Sequence, residues 1–211
     1  MKRLLIWVAL ILGVAVATWG MAKLASSSSD QPAILASAVS DSDWLKGSRD
    51  AGVVLVEYSD FQCPACASYA QIVNRITEEF GDKIAFVYRH FPLPQHQQAE
   101  LAARAAEAAG KQGKFWEILD LIFVNQNNWA GQSNAQETFV SYAQLLNLDM
   151  NRFETELGSP ELKKEVENDY LSGAAIVNYT PTFFLNGEKI QNPRSYDEFR
   201  EIILQKLGQN P

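Results

Sequence analysis

Apolar and polar positions divide the 211-residue chain into three regimes. Leu4 to Ala22 is uncharged and apolar on every side, Leu24 to Ser40 is Ser- and Ala-rich without a period, and the remainder alternates at strand and helix spacings. In that remainder Val53 to Tyr58 is a β-branched run suited to a buried parallel strand. Ser59-Asp60 is a turn, and Pro64 opens a helix whose apolar positions Tyr69, Ile72, Val73 and Ile76 recur at helical spacing until Gly81. Lys83 to Phe91 is a second strand, ended by Pro92 and Pro94. Strand, helix and strand at this spacing form a βαβ unit.

The middle is helical: Gln97 to Ala109, Lys114 to Asn125, Ala135 to Leu148, a short segment at Asn151 to Leu157, and Pro160 to Val177. Strand signals return at Thr182 to Leu185 and Glu188 to Gln191. Asn186-Gly187 between them is a strong hairpin signal. An amphipathic helix, Ser195 to Leu207, closes the chain with Tyr196, Phe199, Ile202, Ile203 and Leu207 as its buried stripe.

The N-terminal regime reads as a membrane segment. Residues 1–3 stay cytoplasmic through Lys2 and Arg3, and residues 4–22 nearly span a hydrocarbon core of roughly 30 Å. The run exceeds the apolar part of most cleavable signals, which favours a retained anchor, although Ala15 and Ala17 offer a cleavage site. Residues 23–40 read as a flexible tether. All 25 acidic residues lie beyond Lys23, against 15 of the 18 basic ones, so the exported part carries a formal charge of −10. That balance argues against nucleic acid and against attraction to anionic lipid. The expected location is extracytoplasmic, in a periplasm or on the outer face of the cell membrane, where cysteines can cycle through disulfides.

The chain has two cysteines, Cys63 and Cys66. A bridge between them closes too small a loop to restrain a long unfolded chain, whereas Cys-x-x-Cys suits thiol–disulfide exchange. Cys63, at the edge of the helix that Pro64 opens, meets unpaired N–H groups that favour its thiolate. Cys66 lies a turn further in. These positions make Cys63 the attacking thiol and Cys66 the resolving one. A metal site would need further ligands, and only His90 and His96 stand beside the carboxylates; both fit better as structural histidines. No metal and no cofactor is expected. Glu57 shares strand parity with Val53 and Leu55; buried there, it would have a raised pKa and could exchange a proton with Cys66. The other reading is an edge-strand Glu facing water. Pro181, before an aromatic strand, marks a turn or a cis peptide, and the local sequence favours a trans turn.

Together these residues resemble the DsbA-like thioredoxin-fold disulfide oxidoreductases. The resemblance rests on Val54 to Cys66, Tyr88-Arg89-His90-Phe91-Pro92-Leu93, Gly113-Lys114-Phe115-Trp116, and Thr180 to Gly187. It implies an α/β, thioredoxin-like fold (βαβ … ββα) over residues 41–96 and 172–211, with a helical insertion at 97–171. It also implies a redox-active Cys63–Cys66 disulfide, a cis Thr180–Pro181 bond packed beside it, and Glu57 as the buried acid. The strongly oxidising members carry His between the cysteines. Pro64-Ala65 here implies a less extreme potential.

The activity expected is introduction of disulfides into exported proteins with cysteine pairs, with a quinone-linked membrane partner restoring the disulfide. The alternatives are a reductase or isomerase kept reduced by a membrane donor, and a peptide-binding holdase.

Overall fold

A computed structural model describes residues 12, 13, 18, 19 and 33–209. The expected membrane segment, residues 4–22, lies outside the described residues apart from Leu12, Gly13, Thr18 and Trp19, which are helical. Among the described residues no helix is long and apolar enough to cross a membrane. Residues 1–32 and 33–211 are separate units, and the second contains the sheet and both cysteines.

The sheet contains β1 (Trp44–Gly47), β2 (Val53–Ser59), β3 (Ile84–His90), β4 (Thr182–Leu185) and β5 (Glu188–Lys189), in the order β1-β3-β2-β4-β5. β2 pairs in parallel with β3, from Val53 opposite Ile84 to Ser59 opposite His90. On its other side β4 runs antiparallel, Leu55 opposite Leu185 and Tyr58 opposite Thr182. β1 adds to β3 antiparallel, and β5 to β4. The β-branched run therefore occupies the centre, where both faces are covered and apolar residues are favoured throughout. Asn186 and Gly187 both adopt positive φ (49° and 85°), as the tight turn joining β4 to β5 requires.

Helix α1 (Pro64–Phe80) follows β2 and ends at Gly81. Six helices separate β3 from β4: α2 (Ala99–Gly110), α3 (Phe115–Val124), α4 (Gln126–Trp129), α5 (Ala135–Leu145), α6 (Met150–Leu157) and α7 (Pro160–Gly173). α8 (Tyr196–Gln209) closes the chain. Ser159 caps α7 by accepting the Leu162 N–H, and Pro160 takes its first position. The larger core joins Val53, Leu55, α1, the inserted helices and Phe199 of α8 on one face of the sheet; the smaller holds Val56, Tyr58, Val87, Phe91, Val177 and Phe184 on the other.

Three features depart from the sequence expectation. No strand was expected at Trp44–Gly47. It is an edge strand anchored by Trp44, whose ring stacks on Phe115 with centroids 4.4 Å apart. The indole also lies against Gly110, where a Cβ would collide with it. The one-turn α4 was likewise unforeseen. The tether expected to run to Ser40 is also shorter. Ile34 bridges to Glu188, Leu35 donates to the Gly187 carbonyl at 2.7 Å, and Lys189 donates to the Ala33 carbonyl at 2.8 Å.

The segment after these bridges is held by a buried cation. The Arg89 guanidinium, 2 % exposed at the residue level, donates to Asp43 Oδ1 (2.7 Å), to the carbonyls of Ser37 and Ala38 (3.0 Å each) and to the Tyr58 hydroxyl (2.9 Å). Burial by itself would raise the Asp43 pKa, but the hydrogen bond and charge of Arg89 hold it below the ordinary carboxylate value. A depressed carboxyl adds stability above its unfolded pKa and loses it as pH falls through the folded one. Arg89→Met should therefore destabilise the protein by about 3–5 kcal/mol at neutral pH, leaving Asp43 buried and unpaired. Urea denaturation checks this, and the difference from the wild type should shrink at acid pH.

Candidate active site

β2 delivers the chain to the sheet's carboxyl end, and the turn from Asp60 to Gln62 carries it into α1. Gln62 N–H donates to Asp60 Oδ1 at 2.7 Å, a local turn that Asp residues favour. Asp60 Oδ2 receives Leu93 N–H and pairs with His96 Nδ1, each at 2.7 Å. The loop is thus fixed by one fully buried carboxylate. His96 plays the structural part expected of it. His90, also buried, pairs through Nε2 with Glu107 Oε1 at 2.9 Å, and Trp44 Nε1 donates to the same oxygen.

Cys63 occupies the cap position of α1 in extended conformation (φ −76°, ψ 121°), with Pro64 as the first helical residue. The missing Pro64 N–H costs nothing there. Both cysteines are free, Cys63 8 % exposed and Cys66 fully buried. Their environments drive them apart. A hydrogen bond from the Cys66 thiol, with the Thr180 side chain and the N–H groups of Cys66 and Ala65, outweighs burial and brings the Cys63 thiol down to about 5. Burial pushes the Cys66 thiol well above the ordinary cysteine value, and the neighbouring charges of Cys63 and Glu57 push it further. Asp60 N–H points at Cys66 Sγ from 3.4 Å.

Thr180–Pro181 is a cis bond, as the resemblance implied and against the local reading. The Thr180 carbonyl lies 3.4 Å from Cys63 Sγ. The Pro181 carbonyl accepts Asn192 Nδ2 at 2.7 Å, and Thr182 Oγ1 donates to the Tyr179 carbonyl at 2.6 Å, which fixes both sides of the bond.

Glu57 lies on the central strand, opposite Tyr88 of β3 and Phe183 of β4, and is 2 % exposed. The water-facing alternative does not hold. Burial raises its pKa to about 7, and the negative charge of Cys63 adds to the rise. A carboxyl that titrates near neutrality below a high-pKa thiol can hold or release a proton there.

All six residues singled out for the site, Glu57, Cys63, Pro64, Cys66, Thr180 and Pro181, therefore meet at one end of the sheet. Sequence reasoning missed Gln126. Its buried carboxamide, on α4 of the insertion, donates to the carbonyls of Phe61 (2.7 Å) and Cys63 (2.9 Å). A Gln between two helical segments, 63 residues from Cys63, carries no local signal.

Fold and site define an α/β protein with a thiol pair at a helix N-terminus, beside a cis-proline. The chain matches the thioredoxin family over residues 40–205 and belongs to it. Solved structures with the same fold include BdbD from Bacillus subtilis in its oxidised form (TM-score 0.73, 23% identity, 85% of this chain and 100% of that one). Another is alpha-DsbA1 of Wolbachia pipientis (TM-score 0.73, 21% identity, 82% and 94%). Among curated proteins, the Na(+)/H(+) antiporter NhaA of Herminiimonas arsenicoxydans is 38% identical over 190 residues, covering 89% of this chain and 28% of its own length. The antiporter NhaA 1 of Salinispora arenicola is 40% identical over 154 residues, 71% and 22%. The chain thus spans about a quarter of the length of these curated relatives.

The opposed environments have two testable outcomes. Thiolate absorbance of the reduced protein should rise with a midpoint near pH 5, and Cys63→Ser should abolish that step while Cys66→Ser leaves one thiol still titrating. Glu57 binds a proton more tightly folded than unfolded, so its contribution to stability is complete below the ordinary carboxylate range and is lost as pH rises toward about 7. In urea denaturation Glu57→Gln should accordingly be more stable than the wild type at pH 8, by up to about 3 kcal/mol, with the gain vanishing near pH 4.

Proposed function

We propose that this chain is an extracytoplasmic thiol–disulfide oxidoreductase that introduces disulfides into exported proteins through Cys63 and Cys66. The observation that carries the reading is the split between the two sulfurs. One is a stable thiolate at the edge of a helix; the other is buried above a carboxyl that titrates near neutrality.

In the disulfide form, a substrate thiolate attacks Cys63 Sγ. The Cys63–Cys66 bond breaks, and Cys66 leaves with a proton from Glu57, which recovers one from solvent. The substrate's second thiolate then attacks its own sulfur in the mixed disulfide, and Cys63 departs as a thiolate. The substrate loses two electrons and, in forming its two thiolates, two protons to solvent; the enzyme gains the electrons as a Cys63 thiolate and a Cys66 thiol, one proton returning through Glu57 and the other staying in solvent. The Thr180 carbonyl and the Pro181 turn flank the sulfur that carries the substrate. A membrane partner that passes the two electrons to a quinone would restore the disulfide, with residues 4–22 holding the domain near it. The antiporter names belong to proteins several times longer, and ion exchange is not carried over to this chain.

A stabilised Cys63 thiolate favours the reduced form and therefore oxidation of substrates. Its value of about 5 lies between roughly 3.5 for DsbA and roughly 7 for thioredoxin. Equilibration with glutathione should accordingly give a reduction potential between roughly −120 and −270 mV. Cys63→Ser should lose all exchange. A potential near roughly −270 mV would point instead to a reductase fed by a membrane donor, and a wild type without exchange whose protection of unfolded protein from aggregation survives in Cys63→Ser would sink the reading in favour of a holdase.

A further inference from the structure

Asn178 to Thr180 bring the Thr180 carbonyl to the Cys63 sulfur, yet these three residues make no backbone–backbone hydrogen bond among the described residues. The last such bonds before them are those of the Ile176 and Val177 N–H groups to the Gly173 carbonyl, at 2.9 and 2.8 Å, where α7 ends. Beyond that point side chains hold the main chain. Thr182 and Asn192 take the Tyr179 and Pro181 carbonyls, on the far side of the approach.

The near side rests on Lys189. Its Nζ donates to the Ile176 carbonyl at 3.1 Å and to Asn178 Oδ1 at 3.4 Å, and lies 4.9 Å from the centre of the Tyr179 ring. An ammonium has three donors to distribute and is attracted to an aromatic face at that range. One side chain thus meets three of the four residues that precede Thr180. The strand from which it reaches is fixed along both edges. Lys189 pairs with Phe184 of β4 on one side. On the other, its N–H donates to the Ala33 carbonyl at 2.8 Å, and Ile34 bridges to Glu188. The docked N-terminal segment therefore seats the residue that holds the approach to the cis bond.

We infer that Lys189 is a positioning residue for thiol–disulfide exchange: from β5 it sets the approach to Thr180–Pro181, so that this turn stands correctly beside a peptide joined to Cys63. The inference rests on the exchange reading above. A small dithiol touches the sulfur and little else, whereas a peptide must also fit against the turn. Loss of Lys189 should slow the two unequally, which loss of a residue that only stabilised the fold would not do.

The test is the rate at which the disulfide form of the full chain is reduced by an uncharged, end-blocked dithiol peptide and by dithiothreitol. Neither thiol is charged before ionisation, so removing a lysine does not act through attraction of the reagent. Lys189→Met should slow the peptide about tenfold, the scale of a lost hydrogen bond from a charged group, and dithiothreitol by less than about twofold. Lys189→Arg keeps the charge, the donors and the stacking, and should stay within about threefold of the wild type with both reagents. A peptide rate unchanged in Lys189→Met, equal slowing of both reagents, or a Lys189→Arg protein as slow as Lys189→Met overturns the assignment while leaving exchange intact. A wild-type disulfide reduced no faster than oxidised glutathione by either reagent removes the exchange reading, and the assignment with it.

Discussion

A central strand hydrogen-bonded on both sides has one free end at which to place chemistry, and β2 is such a strand. β3 and β4 take up its main chain, and the core takes up its side chains from both faces. The cysteine loop can therefore emerge only at its carboxyl end. There the first turn of α1 supplies unpaired N–H groups to one sulfur, while the sheet and α1 bury the other. Glu57 belongs to the same constraint: two residues before the strand ends, it faces the cysteine side with no water to hydrate its charge. The opposed thiols and the raised carboxyl are consequences of that single placement.

Around this point side chains hold the main chain of the cysteine loop. Asp60 holds Gln62, Leu93 and His96, Gln62 ties two loops together, and Gln126 binds the carbonyls of Phe61 and Cys63. A carbonyl left bare in such a site would cost about 1–3 kcal/mol. The loop that presents Cys63 is thus tied along its length by side-chain bonds.

What the sequence made legible was local. The β-branched run of β2, Pro64 at the start of α1, the Asn186-Gly187 turn and the stripe of α8 each carry their cause within a few residues. Cys63, Cys66 and Glu57 could be read from spacing and parity alone. The cis form of Thr180–Pro181 came only from the family resemblance, because local chemistry allows both isomers. β1, the docked Ala33–Ser40 segment and Gln126 escaped because their causes lie far off in the chain. Trp44 needs Phe115, Asp43 needs Arg89, and Gln126 needs a carbonyl 63 residues away. Four mixed-polarity residues at a sheet edge, or one turn of helix, have no periodicity to announce them.

The two bonds from Gln126 change how the helical insertion should be regarded. By topology it is an excursion between β3 and β4, the sort of segment that a sheet-based fold tolerates gaining or losing. Here it furnishes a wall beside the cysteine pair: without α4, the Phe61 carbonyl loses its side-chain donor and the Cys63 carbonyl loses one of its two donors. A minimal scaffold trimmed to sheet, α1 and α8 would keep both sulfurs yet not the frame that aims them. The smallest transplantable unit of this chemistry therefore includes the insertion.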